Sequence, residues 1–288
     1  MTSVFFGFLH LYGPQFWSSI LASYPKSVII PWGTFIISQV GFWFWVSLLA
    51  VLDLCQFPKS FWRYKIQPLK VPTWEWYRKA LWVVLQNQFL VALPSSFLLW
   101  KLMDLRGNPV GMELPTVWDL SKELIGFLVV EELGFYYGHR LFHHPKLYKR
   151  IHKKHHLYTA PIGIAAIYCH PIEHFVCNLC PLALGPVLMK SHILTLWLWI
   201  TVGQTNAINS HCGFHLPLFP SPLAHDYHHE VFNKNFGPLG VLDWLHDTAG
   251  SREMAAEKKQ RELAATTQAQ TNVQAVVPDS SKPNVKEV

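Results

Sequence analysis

The stretch TFIISQVGFWFWVSLLAVLDLC, from Thr34 to Cys55, carries one formal charge, Asp53, close to its end. A helix needs about 20 such residues to cross roughly 30 Å of hydrocarbon. The run therefore predicts a membrane span, with Asp53 near enough to the end to reach the interface. Composition agrees, since half of the 288 residues are apolar and only 15% are charged, too few to coat a soluble domain of that size. Ala80 to Trp100 predicts a second span, with Gln86, Asn87 and Gln88 inside it and Pro94 kinking it. Val117 to Tyr137 predicts a third, whose Glu123, Glu131 and Glu132 require one side to face protein or water. Phe175 to Met189 and Ile193 to Asn209 are each short, and together read as a hairpin, transmembrane or re-entrant, with both ends on one side. The amino-terminal VFFGFLHLYGPQFW is apolar but broken by Gly13 and Pro14, and reads as an interfacial or partial membrane segment without a secretory signal's features.

Charge orients these spans. Lys59, Arg63, Lys65, Lys70, Arg78 and Lys79 form one basic loop; Arg140, Lys146, Lys149, Arg150, Lys153 and Lys154 form another. Loops rich in Lys and Arg stay on the cytoplasmic side, and two spans separate the pair, which puts both loops on that face. The net charge of +6 is gathered in loops rather than along one face, which argues for membrane topology and against nucleic acid. Five Cys without framework spacing read as reduced thiols, and Cys177 with Cys180, inside an apolar stretch, read as packing residues. The expected fold class is an all-α integral membrane protein with about four transmembrane helices and a cytosolic, helical, histidine-rich cap. The expected organisation is membrane segments and a basic loop over 1–116, a histidine-box domain over 117–250, and a disordered tail over 251–288, with at most a short charged helix at its start.

Sixteen histidines then decide the chemistry. His139 and His143 stand four apart, which places both rings on one face of a helix. His152, His155 and His156, and again His225, His228 and His229, follow the spacing i, i+3, i+4, so each triplet is expected to project from one helical face. His211 and His215 repeat the four-residue spacing, although Gly213 and Pro217 weaken a helix there. At this chain's histidine frequency an HxxHH pattern arises by chance on the order of 0.05 times, and it occurs twice. A lone His10, His192 or His246 reads as a surface or hydrogen-bonded residue. A pH-sensing patch is disfavoured, because crowded imidazoles beside membrane spans repel once protonated.

Neutral imidazoles suit Zn, Cu, Fe and Ni, and no thiolate set for a structural zinc cage is present. Ten histidines exceed what one ion takes, so the economical inference is a pair of metal ions with open positions. Imidazoles that bind metal usually donate their second N–H to a carboxylate or carbonyl, which makes Glu131, Glu132, Glu173, Asp226 and Asp243 candidate orienting groups. The donor set leaves hydrolysis, oxygen chemistry and a non-catalytic metal-binding scaffold open. No phosphate-binding, dinucleotide-binding or haem-attachment motif is present, so electrons for any redox step come from outside.

The boxes HRLFH, HKKHH and HDYHH, followed by NFG and LDWLHDT, resemble the sterol desaturase and fatty acid hydroxylase superfamily over about residues 120 to 248, and within it the C4-methylsterol oxidase branch. The resemblance implies a non-haem diiron monooxygenase of the endoplasmic reticulum membrane, its histidines facing the cytosol. The implied ligands are His139, His143, His152, His155, His156, His225, His228 and His229, completed by His211 in SHCGFHLP. His215 is a departure, standing where sterol oxidases tend to carry Asp, while sphingolipid fatty acid hydroxylases show a His-x3-His pair. The three-residue gap in HRLFH is that of the sterol enzymes and favours C4-methyl oxidation of a sterol, with fatty acyl or sphingolipid hydroxylation or desaturation as the alternative. His170, in HPIE, resembles an element of sterol oxidases and joins Glu132, Glu173 and Asp243 as a candidate beyond the ligands; His174 and His144 rank lower. Two iron ions, with zinc as the alternative occupant, and electrons from cytochrome b5 and its NAD(P)H-dependent reductase follow from the same resemblance.

Overall fold

A backbone in hydrocarbon has only itself to bond with, so long apolar runs coil into helices. In the computed structural model, which describes residues 2–254 and 256 and side chains from residue 13 onward, every element is helical apart from one isolated bridge between Lys65 and Phe214. The long helices are α1 (Thr2–Ser23), α2 (Lys26–Cys55), α3 (Trp74–Arg106), α4 (Val117–Phe142), α5 (Pro171–Leu188) and α6 (Ile193–Ser210). The short α7 (Leu223–Val231) and α8 (Val241–Leu245) follow. Among the described residues, three helices are long and apolar enough to cross a membrane, namely α2, α3 and α5. The predicted third span, α4, runs on to Phe142 and stands outside that set with its carboxylates, as does α6, whose second half carries Gln204, Asn206, Asn209 and Ser210. The amino-terminal segment is one helix continuing through Pro14 to Ser23. The expected hairpin forms as α5 and α6, turned at Met189–His192, where His192 accepts from Leu194 N and bonds Gly111 O through Nε2.

Close backbone approach explains how these helices hold together without a hydrophobic drive between them. On α4, a Cβ at Gly134 would stand 3.0 Å from Pro181, and one at Gly138 would stand 3.1 Å from Cys177 Sγ, so the small pair lets α5 lie directly against α4. Between α2 and α6, Trp197 donates to Thr34 Oγ1 at 3.0 Å, and Ser38 exchanges two 2.9 Å bonds with Gln204. α3 is not a continuous α-helix. Residues Gln88–Ala92 form a π-turn, and Asn87 just before it donates to the carbonyls of Ile167 and Cys169. The π-turn falls next to Pro94, whose ring cannot accept a regular helical register.

Asp53 does not reach out to the interface. It is fully buried, pairs with Lys65 Nζ at 2.7 Å, and accepts from the Tyr77 hydroxyl at 2.7 Å. Lys65 is therefore not an exposed charge of the basic loop; its ammonium also sits 4.1 Å over the Phe214 ring. Around it Ile66 N bonds Gly213 O and His215 N bonds Tyr64 O, so the first loop is stitched to the segment that follows α6. The chain divides after Ala249; of the second unit, residues 252–254 are helical, and the tail expected to be disordered lies otherwise outside the described residues.

Removing one partner of a buried ion pair strands the other charge, at a cost of about 3–5 kcal/mol. Asp53→Asn and Lys65→Met are each predicted to lower the detergent-solubilised protein's unfolding temperature, while the double variant recovers most of the loss. A double variant as unstable as the two singles combined would show that the pair is not the source.

Candidate metal centre

Nine of the ten predicted ligands converge, and they do so as two groups. His139, His143, His152, His156 and His228 form one, and His155, His211, His225 and His229 form the other, with all ligand atoms of a group within 4.8 Å of one another. Neither triplet projects from a single face toward a single group. Residues His152–Leu157 form a 3-10 helix and Leu223–Val231 an α-helix, yet both boxes divide in the same way, so the split follows from each box lying between the two groups and not from the helix type. His152 and His156 turn to the five-histidine group and His155 to the four-histidine group. On α7 the exchange is reversed: His225 and His229 join the four, and His228 joins the five. Each HxxHH box thus gives its i, i+4 pair to one group and its i+3 ring to the other.

His215 stands apart. Helix α6 ends at Ser210, Gly213 takes φ +72°, and Phe214 bridges to Lys65, so the four-residue spacing is no longer helical. The His215 ring is exposed and meets Ser221 Oγ at 3.1 Å. His170 also lies outside both groups, accepting from Ile172 N as the cap of α5. His246 stacks on Tyr136 and bonds Tyr137.

Second contacts fix which ring nitrogen faces inward. A carbonyl only accepts, so His139 Nδ1 donates to Phe236 O at 2.8 Å, His228 Nδ1 to Lys234 O at 2.6 Å, and His211 Nδ1 to Ala207 O at 2.8 Å. His155 Nδ1 donates more loosely to Tyr168 O at 3.4 Å. A neutral imidazole has one N–H, and in these four it is spent on a carbonyl. Yet His155 Nε2 and His211 Nε2 stand 3.2 Å apart, and no proton is left to join them. The same crowding recurs between His139 and His152 at 3.1 Å, His228 and His156 at 3.2 Å, and His225 and His211 at 2.9 Å. Buried lone pairs aimed at one another are unfavourable unless a cation lies among them, so the donor set fits metal ions in both groups. Burial, reinforced by neighbouring imidazoles, holds His155, His225, His228 and His229 well below the ordinary histidine range, with His211 near 4. All are neutral near pH 7 and free to bind metal.

Carboxylates act at different distances from the rings. Glu173 Oε1 lies 2.8 Å from His152 Nδ1, in direct contact with a ligand ring. Glu132 and Asp243 touch the loop between α7 and α8. Glu132 accepts from Leu239 N and Leu242 N at 2.9 Å, and Asp243 accepts from Phe236 N at 2.8 Å and Gly237 N at 2.7 Å. That loop supplies the Phe236 and Lys234 carbonyls that orient His139 and His228, so both acids steer the rings through the backbone. Asp226 accepts from Gln67 at 3.0 Å, tying α7 to the first loop.

Beside the groups lies an inner cavity of about 200 Å³, lined by His139, His152, His155, His211, His225 and Glu131. An outer, apolar chamber of about 360 Å³ extends from it between α2, α3, α5 and α6. The two share Ser38, Ala92, Leu179, Leu182 and Gln204 as a neck. At the outer chamber Leu98, Leu102 and Leu184 are exposed on the membrane-facing helices. Sequence reasoning did not find the orienting carbonyls, which no residue type announces. It named Gln88 inside an apolar span without giving it a role, and ranked His174 low; both line the inner cavity.

A family model described as fatty acid hydroxylase matches residues 124–248. The chain is 42% identical over 251 residues to fatty acid hydroxylase domain-containing protein 2 of Macaca fascicularis, covering 84% of this chain and 72% of that one. Its counterpart in Homo sapiens is 41% identical over 249 residues, with the same coverage. Methylsterol monooxygenase 1 of Danio rerio is 32% identical over 242 residues, covering 81% of this chain and 82% of that one. No solved structure matches.

Single-ligand variants separate the two groups. His155→Ala and His228→Ala are each predicted to lose about one of two bound metal equivalents, by mass spectrometry of the purified protein, while His215→Ala keeps both. Loss of metal in His215→Ala equal to that in His155→Ala would contradict the assignment.

Proposed function

Because this chain belongs to the fatty acid hydroxylase family of lipid-modifying oxidoreductases, we propose that it is a diiron monooxygenase that hydroxylates the C4 methyl group of a membrane sterol. The observation that carries this reading is the junction of two all-imidazole donor groups with a cavity that continues into an apolar chamber among the membrane helices. Donors of this type suit iron, and iron bound there would activate oxygen toward an unactivated C–H bond. The chain's own residues do the positioning. The Phe236, Lys234 and Ala207 carbonyls keep the inward nitrogens free of protons. The apolar walls of the outer chamber admit a lipid body and exclude water, which protects a reactive centre from side reactions.

His215 bears on the choice of lipid. A His-x3-His pair pointed toward the sphingolipid fatty acid hydroxylases, and the exposed position of His215 outside both groups removes that argument. The sterol reading gains from the likeness to methylsterol monooxygenase 1. Reducing equivalents would come from cytochrome b5 and its reductase at the endoplasmic reticulum's cytosolic face. Lys146, Lys149 and Arg150, exposed between the first two boxes, and Lys153, exposed within the second, offer an acidic partner a docking charge next to the donor groups.

The test is turnover of iron-loaded protein in lipid nanodiscs with cytochrome b5, its reductase, NADH and a 4-methylsterol under ¹⁸O₂. The expected product is a hydroxymethyl sterol carrying ¹⁸O, formed only with iron, reductant and oxygen together. Product formed without oxygen uptake would point to hydrolysis, and no ¹⁸O in any lipid offered would sink the monooxygenase reading.

A further inference from the structure

The inner cavity holds two buried polar side chains that metal binding leaves unused. Gln88 is only 2% exposed and lines this cavity, and neither its Nε2 nor its Oε1 meets a hydrogen-bond partner among the described residues. A carboxamide buried with both ends unpaired is costly, so its retention inside a membrane helix calls for a partner. Gln88 opens the π-turn of α3, and Asn87, bonded to the Ile167 and Cys169 carbonyls, holds the helix in the register that turns Gln88 inward. His174 opens the second π-turn, His174–Leu179, which packs against the first. Asn178 Nδ2 donates to His174 Nδ1 at 3.2 Å, which leaves the ring proton on Nε2. That Nε2 is also buried and unpartnered among the described residues, and His174 lines the same cavity. π-turns that interrupt α-helices recur at functional sites, and here two of them bring unpaired polar groups to one space.

We propose that Gln88 and His174 form the binding site for a neutral hydroxyl group of the lipid substrate. His174 Nε2–H and Gln88 Nε2–H donate to the hydroxyl oxygen, and Gln88 Oε1 accepts its proton. The complement selects an alcohol: a carboxylate has no proton for Oε1, and a hydrocarbon satisfies none of the three. With the hydroxyl held beside the histidine groups and the apolar body passing the Ser38–Gln204 neck into the outer chamber, the oxidised carbon lies within a few bonds of the hydroxyl-bearing carbon. This assignment rests on the cavity being the lipid site, but it concerns recognition and not oxygen chemistry, so binding tests it without turnover.

The experiment measures binding to metal-loaded protein in nanodiscs, by quenching of its tryptophan fluorescence, with matched lipids: a 4-methylsterol and its 3-deoxy counterpart, a long-chain alcohol, the corresponding fatty acid and the alkane. In the wild type, at least one alcohol is expected to bind about tenfold or more tightly than its deoxy or alkane partner and than the acid. Gln88→Leu is expected to abolish that preference while keeping both metals and an unfolding temperature no lower than wild type, because it removes an unpaired amide. His174→Phe is expected to weaken the preference in the same direction. An absent alcohol preference in the wild type, its survival in Gln88→Leu, or a marked loss of stability in Gln88→Leu would overturn the proposal. Alcohol-selective binding without oxygen uptake would instead uphold it and count against the proposed oxidation.

Discussion

The structure depends on a repeated hydrogen bond from imidazole Nδ1 to a backbone carbonyl. In His139, His211 and His228 that bond consumes the ring's one proton and turns a bare Nε2 toward its neighbours. A fold that gathers nine imidazoles in two groups, seven of them buried, pays for their mutual repulsion unless cations are bound. Much of the rest can be traced back to those bonds. Glu132 and Asp243 hold the loop whose carbonyls orient two of the rings. The Asp53–Lys65–Tyr77 cluster ties the loop after α2 to the segment just beyond His211.

The membrane helices supply what the rings lack, a dry approach. Close α4–α5 contact at Gly134 and Gly138, and the Trp197–Thr34 and Ser38–Gln204 bonds between α6 and α2, shape two chambers that meet at a neck. The polarity gradient along them, from exposed leucines to imidazoles, suits an amphipathic lipid entering head-first from the bilayer side. Among the described residues the same helices widen into π-turns in α3 and α5, and both breaks line the cavity.

Patterns whose physics is local were legible in the sequence. The Thr34–Cys55 run is predominantly apolar, with Asp53 its one charge, and it lies within a helix that begins earlier, at Lys26, because Pro31 is accommodated inside the helix instead of starting it. The HxxHH spacing picked out residues that converge, but the assumption of one face per triplet failed: each box lies between two groups, and the meeting of distant segments decides which ring joins which. His211 and His215 share the spacing of His139 and His143 and not their fate, because only the second pair sits on a helix to its end. Asp53 looked like an interfacial charge because its partner, Lys65, belongs to a loop that folds back under Phe214, a long-range contact that no window of sequence contains. The Phe236 carbonyl that orients His139 was illegible for the same reason, whereas the Ala207 and Lys234 carbonyls are near His211 and His228 in sequence and went unseen because a backbone carbonyl has no residue type to mark it.

The central claim is that the two histidine groups are two metal sites with only imidazole nitrogen from the protein. X-ray absorption at the metal edge, on protein loaded with iron and kept reduced, tests it most directly. The account predicts two metals per chain, a first shell of nitrogen and oxygen with an imidazole multiple-scattering pattern averaging about four to five rings per metal, and no sulfur. A single metal per chain, or a shell containing sulfur from any of the five cysteines, would contradict it.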